Sequence, residues 1–172
     1  NEFAVAGGAV AINVATGRPR WRVDSEHELF AMPMPLTPRP GGEQPWVFAG
    51  RDGQLQAIDV ASGQELWRFG PAGQDGRSQG IYNFYTGREF GDADADGVPD
   101  YLVTNGGDSK SFRYESRPPG HLMVLSGVDG SEIHRLVLPE GRETYCSPLL
   151  WSRMGEQWVV FGTGGETFPG SL

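Results

Sequence analysis

Apolar positions in this chain fall in short runs broken by glycine, proline and charge, as in Tyr101-Leu102-Val103 after an acidic loop. No stretch sustains a long helical period. Runs of this length, bounded by turn residues, predict many short β-strands. The expected strands lie near 29–35, 46–50, 54–60 and 65–69, then near 80–86, 100–105, 121–126 and 132–138. Two more are expected near 144–150 and 158–162.

The pattern repeats. Ala11-Ile12-Asn13-Val14-Ala15-Thr16-Gly17-Arg18-Pro19-Arg20-Trp21 returns 46 residues later as Ala57-Ile58-Asp59-Val60-Ala61-Ser62-Gly63-Gln64-Glu65-Leu66-Trp67. A third copy, Val124-Leu125-Ser126-Gly127-Val128-Asp129-Gly130-Ser131-Glu132-Ile133-His134, follows after 67 residues, the same period with a 21-residue insertion. Each copy reads as strand, glycine turn, strand. Gly42-Glu43-Gln44-Pro45-Trp46-Val47-Phe48 echoes Gly155-Glu156-Gln157-Trp158-Val159-Val160-Phe161, and Asn105-Gly106-Gly107-Asp108 echoes Thr163-Gly164-Gly165-Glu166.

Four short strands per period of about 46 residues is the spacing of a β-propeller blade. The expected fold is therefore all-β: about four blades of four antiparallel strands, at 1–23, 24–69, 70–138 and 139–172. Residues 1–23 would hold three strands of the first blade. Four full blades with the insertion would need about 205 residues, against 172 present. The chain is expected to be part of a larger propeller, its open faces covered by the rest of the polypeptide or by partner protein chains. Gly170-Ser171-Leu172 repeats Gly120-His121-Leu122, so a further hairpin strand should begin there.

One loop changes the picture from scaffold to site. Asp92-Ala-Asp94-Ala-Asp96-Gly97-Val98-Pro99-Asp100 places carboxylates at positions 1, 3, 5 and 9, with glycine at position 6. Such close like charges repel unless a cation lies between them. Ca²⁺ suits them, since it accepts about 6–8 oxygens in flexible geometry. The expected ligands are Asp92, Asp94, Asp96, the Val98 carbonyl and Asp100, with water completing the shell. An EF-hand would need a bidentate Glu at position 12, where Val103 stands in an apolar run, so this loop feeds a strand. It lies between the first two strands of the third blade. The rest of the insertion, Ser109 to Pro119, carries Arg113, Arg117 and two prolines and reads as an exposed contact loop.

The run Phe90 to Val103 resembles an FG-GAP repeat, the calcium-binding blade of integrin-like propellers, with Ala95 where glycine is usual. Ala57 to Trp67 resembles the tryptophan-docking motif of PQQ-like propellers, and Ala11 to Trp21 is a looser copy. That resemblance implies that Trp21 and Trp67 pack between adjacent blades, with His134 in the place of Trp in the third copy.

Composition narrows the function. The chain has 26 Gly and 13 Pro, which suits turns, and a net charge of −8, which disfavours nucleic acid as a partner. Cys146 is the only cysteine, so there is no internal disulfide, CxxC or CxxCH site. A lone thiol in a strand reads as a small buried hydrophobe. No apolar run approaches the roughly 18–20 residues of a membrane-spanning helix. Trp21, Trp46, Trp67 and Trp158 recur at repeat positions and are expected in blade packing. His27, His121 and His134 share no metal-site spacing. Gly162-Thr163-Gly164-Gly165-Glu166 lacks the Lys-Ser/Thr of a P-loop and reads as a strand-end turn. Ser126 and Ser147 have no recognisable triad partners. Calcium loops with Kd near ~10⁻⁴–10⁻³ M fill outside the cytosol, which points to periplasm, cell surface or secretion. The leading expectation is a calcium-stabilised, non-catalytic binding or scaffolding segment of an exported protein. The alternative is part of a propeller enzyme. A PQQ-dependent dehydrogenase is disfavoured because many carry an adjacent Cys pair. A polysaccharide lyase would need grouped catalytic residues that are not evident.

Overall fold

The computed structural model describes residues 7–25, 29, 31–50, 53–70, 83–106, 119–139 and 142–164. All of their regular structure is antiparallel sheet, with no α-helix among the described residues. Four sheets follow one another along the chain. β1 (Gly7–Ile12) pairs with β2 (Pro19–Ser25). β3 (Met34–Pro35), β4 (Pro45–Ala49), β5 (Leu55–Asp59) and β6 (Glu65–Phe69) form a meander. In the third sheet β7 (Asn83–Phe84) and β8 (Arg88–Glu89) both pair with β9 (Tyr101–Gly106), followed by β10 (His121–Leu125) and β11 (Glu132–Val137). β12 (Leu149–Arg153) pairs with β13 (Glu156–Val160).

The three sequence copies fold into three copies of one hairpin. Ala11 pairs with Trp21, Ala57 with Trp67 and Val124 with His134, and each ladder shifts register just after that pair. The turns share their bonds too. The Gly17, Gly63 and Gly130 N–H groups donate to the Asn13, Asp59 and Ser126 carbonyls. All three glycines have positive φ, between 69° and 81°. The side chain opening each turn caps it: Asn13 Oδ1 accepts from Thr16 N–H, and Ser126 Oγ from Val128 N–H.

Asp59 is the strongest of these caps. It accepts from the Ser62 hydroxyl (2.5 Å) and from the N–H groups of Ser62 (3.0 Å), Gln44 (3.0 Å) and Ala61 (3.3 Å). The Ser62 hydroxyl, then the Gln44 amide, pull its pKa down to about 2. A depressed carboxylate stabilises the fold above its unfolded pKa of about 3.9, and that contribution is lost as pH falls through the folded value. Urea titrations should therefore show a constant wild-type advantage over Asp59→Asn above about pH 5, shrinking between about pH 4 and 2. A gap independent of pH would show that the charge on Asp59 does not act in the turn.

Adjacent sheets meet through tryptophan. Trp21 Nε1–H donates to the Val60 carbonyl at 2.9 Å, and its ring lies over Gly63. Trp67 repeats this one unit on: Nε1–H donates to the Gly127 carbonyl at 3.1 Å, over Gly130. A Cβ on Gly63 would lie 2.6 Å from the Trp21 ring, whereas one on Gly17 would meet nothing within 4 Å. Both need left-handed backbone, which costs a non-glycine residue roughly 1–2 kcal/mol. Gly17→Ala should lose about that much stability and Gly63→Ala clearly more. Equal losses in chemical denaturation would mean that the Trp21 contact carries no energy. An apolar core lies between the second and third sheets, with Val47, Leu55, Ala57 and Trp67 against Phe84, Tyr101, Val103, Met123 and Leu125.

Several expected elements differ. The described part of residues 1–23 holds β1 and most of β2, and residues 1–6, which the remaining expected strand of that blade would need, lie outside the described residues. The strand near 29–35 reduces to a bridge from Leu29 to Gly50 and the two residues of β3. Pro33 and Pro35 each remove a ladder donor there. Of the strand expected near 80–86, residues 80–82 lie outside the described residues, 83–86 hold the two residues of β7, and β8 follows at 88–89. The close approach at Gly87, where a Cβ would lie 2.4 Å from the Leu102 carbonyl, marks the break. In the last sheet, β12 and β13 lie at 149–153 and 156–160 rather than 144–150 and 158–162. Pro148 precedes the first, and Met154 (φ 52°) and Gly155 (φ 83°) supply a two-residue turn with both φ values positive. His27, Arg113, Arg117, Gly165, Glu166 and Gly170 to Leu172 lie outside the described residues, as does the insertion before Pro119.

Candidate metal centre

The acidic loop joins β8 to β9 and is closed at its base by the backbone. Phe90 N–H donates to the Asp100 carbonyl at 2.8 Å, and Asp100 N–H to the Gly91 carbonyl at 3.3 Å. Ala95 (φ 61°) and Gly97 (φ 91°) take left-handed backbone that winds the loop around its carboxylates. Asp92 accepts from Asp96 N–H at 3.0 Å and Gly97 N–H at 2.9 Å. Asp94 accepts a second bond from Asp96 N–H at 3.2 Å.

Asp100 differs from the others in being fully buried. One oxygen accepts from Ala93 N–H at 2.6 Å and the other from Gly127 N–H at 3.1 Å. Burial, with Asp94 and Asp96 adding repulsion, raises its pKa against these two bonds. A cation would lower the cost of keeping this group ionised.

Oxygens of Asp92, Asp94 and Asp100 lie within 4.8 Å of one another. Ca²⁺–oxygen distances of about 2.3–2.6 Å allow up to roughly 4.6–5.2 Å between oxygens on opposite sides of one ion. The hard donor set and its spacing thus fit calcium. Asp96 is not in this convergence: its Oδ1 accepts from Val98 N–H at 2.8 Å. The first, third and ninth positions of the loop gather, and the fifth caps the next turn.

The other singled-out residues are placed as follows. Trp67 is buried and Trp21 half-buried in the contacts described above. Trp46 is half-buried, its Nε1 without a partner. Trp158 is not packed in a core: it is half exposed, its ring 6.5 Å from Trp151, its register partner on β12. No other described strand joins this hairpin. His134 is exposed, and His121 is buried with Nδ1 3.0 Å from Asn105 Oδ1. The Cys146 sulfur accepts from Gly162 N–H at 3.0 Å. Ser126 is a turn cap and Ser147 is exposed.

Sequence reasoning missed the residue that joins this loop to the blade interface. The Gly127 N–H bonds Asp100, and its carbonyl accepts from both Trp67 Nε1 and Arg39 Nη2. A Cβ on Gly127 would sit 2.0 Å from the Pro99 carbonyl oxygen. The available signal was Gly127 itself, standing where the first two copies have Val14 and Val60.

The chain matches no protein-family model and no curated protein. Among solved structures it is similar to BamB from Moraxella catarrhalis, at 13% identity and a TM-score of 0.54, over 91% of this chain and 39% of that one. At that identity the likeness concerns the fold alone. BamB is a β-propeller, and the fold here is all-β and propeller-like. Among the described residues no helix is long and apolar enough to cross a membrane.

Proposed function

We propose that this chain is a calcium-binding segment of a larger β-propeller in an exported protein, where it serves as a non-catalytic binding or scaffolding surface for protein partners. The observation that carries the proposal is the convergence of Asp92, Asp94 and Asp100 within 4.8 Å, with Asp100 buried beneath them. The FG-GAP-like run around the loop and the tryptophan docking between units support it. Ca²⁺ bound there would offset two of the loop's four carboxylate charges and tie β8 to β9. Extracellular calcium fills sites with Kd of about 10⁻⁴–10⁻³ M, so a weak site of this kind belongs outside the cytosol.

Binding to the native state at about ten times Kd stabilises it by roughly 1.4 kcal/mol. Thermal unfolding in millimolar calcium, with and without chelator, should show this shift. Asp94→Ala, an exposed substitution, should abolish most of it while changing the metal-free protein little. A melting temperature indifferent to calcium would refute the site. An equal shift in Asp94→Ala would place the ion elsewhere.

A further inference from the structure

We propose that the loop between β3 and β4 of the second sheet positions the acidic loop of the third, so that Thr37 and Arg39 set calcium affinity from the neighbouring sheet. The inference rests on the calcium reading above and assigns a role to two residues that are not ligands.

The β3–β4 loop reaches its neighbour at two points. Thr37 donates its N–H to one carboxylate oxygen of Glu89 and its hydroxyl to the other, the latter at 2.9 Å. Glu89 closes β8, three residues before Asp92, the first proposed ligand. Arg39 Nη2 donates to the carbonyls of Gly127 and, at 2.9 Å, of Val128. The Gly127 N–H in turn holds Asp100, the last proposed ligand. The two contacts therefore bracket the acidic loop, one at its entry and one at its exit.

The entry strand is weakly fixed within its own sheet. β8 has two residues, and β9 is its only described partner strand. The β3–β4 loop is the firmer side. Pro38 and Pro40 fix their own φ and bias Thr37 and Arg39 toward extended backbone. Hydrogen bonds tie the loop back to its own sheet: Leu36 N–H to the Pro45 carbonyl at 2.9 Å, and Arg39 N–H to the Glu43 carbonyl at 2.8 Å. The Arg39 Nε is buried without a partner, a cost that the bonds of Nη2 offset. Calcium must gather Asp92 and Asp100 from opposite ends of the acidic loop. Ends already held in place lose less freedom on binding, which raises affinity. By reciprocity the ion strengthens the contact between the sheets by the same factor.

Calcium titrations followed by the amide NMR signals of Asp96 and Gly97 test this. Thr37→Val keeps the N–H and the shape of an exposed residue and loses the hydroxyl bond. It should raise Kd about three- to tenfold, the worth of one hydrogen bond, and Thr37→Ser should restore the wild-type value. Arg39→Met should also raise Kd. That direction is diagnostic, because removing a positive charge from the surroundings of a cation would by itself lower Kd. Circular dichroism at the titration temperature checks that each variant is folded, and if Arg39→Met is not, the two Thr37 variants decide. Wild-type affinity in Thr37→Val and Arg39→Met would overturn this inference and leave the calcium reading standing. A lower Kd in Arg39→Met would overturn the positioning role of Arg39. A wild type that takes up no calcium would overturn both the calcium reading and this inference.

Discussion

Trp67→Ala is expected to lower stability by about 3–5 kcal/mol, the usual range for truncating a buried aromatic. The indole is 5% exposed and belongs to the core between the second and third sheets. Removing it opens a cavity in the core cluster it shares with Val47, Leu55 and Met123 and leaves the Gly127 carbonyl without its Nε1–H donor. In a chain of this size each kcal/mol shifts the melting temperature by roughly 2–4 °C, so a fall of about 6–20 °C should be seen. Trp158→Ala provides the contrast. Its side chain is half exposed, so monomer stability should move by no more than about 0.5 kcal/mol. If the two variants unfolded at the same denaturant concentration, tryptophan docking would not be what joins the sheets.

The contrast between these tryptophans marks what could be read from the residues alone. The copies 46 and 67 residues apart announce one hairpin made three times, because turn glycine, cap and tryptophan are all local signals. The docking of Trp67 on the third copy follows the same arithmetic: Trp21 to Gly63 spans 42 residues and Trp67 to Gly130 spans 63, the difference being the insertion. The last hairpin was misplaced because several adjoining residues are apolar enough for strand, and only the positive φ values at Met154 and Gly155 decide where the turn falls. Trp158 looked like a packing residue because exposure depends on what covers a face, which composition does not encode. The acidic loop was legible as a cluster. That Asp96 would turn back on Val98 while Asp100 descends into the core depends on backbone turns that the carboxylate spacing leaves open.

Asp100→Ala should be the second most costly change, at about 2–4 kcal/mol even without calcium. Its carboxylate accepts the N–H groups of Ala93 and Gly127, and stranding a buried donor costs roughly 1–3 kcal/mol. Asp100→Asn keeps one acceptor oxygen and should lose less, while still weakening the calcium response. The loss should not be confined to the loop. Gly127 is held by Asp100 through its N–H and by Trp67 and Arg39 through its carbonyl, so one short segment serves the acidic loop and the contact between sheets. Once Asp100 is gone, Gly127 is free to shift and the Trp67 bond loses its fixed acceptor. A double-mutant cycle between Asp100→Asn and Trp67→Phe should therefore show coupling of at least about 0.5 kcal/mol, more than independent sites display. Additive losses would mean that Gly127 stays in place without Asp100, held by its packing against Pro99. Coupling would show that the loop which gathers the carboxylates also positions the carbonyl on which the preceding sheet docks.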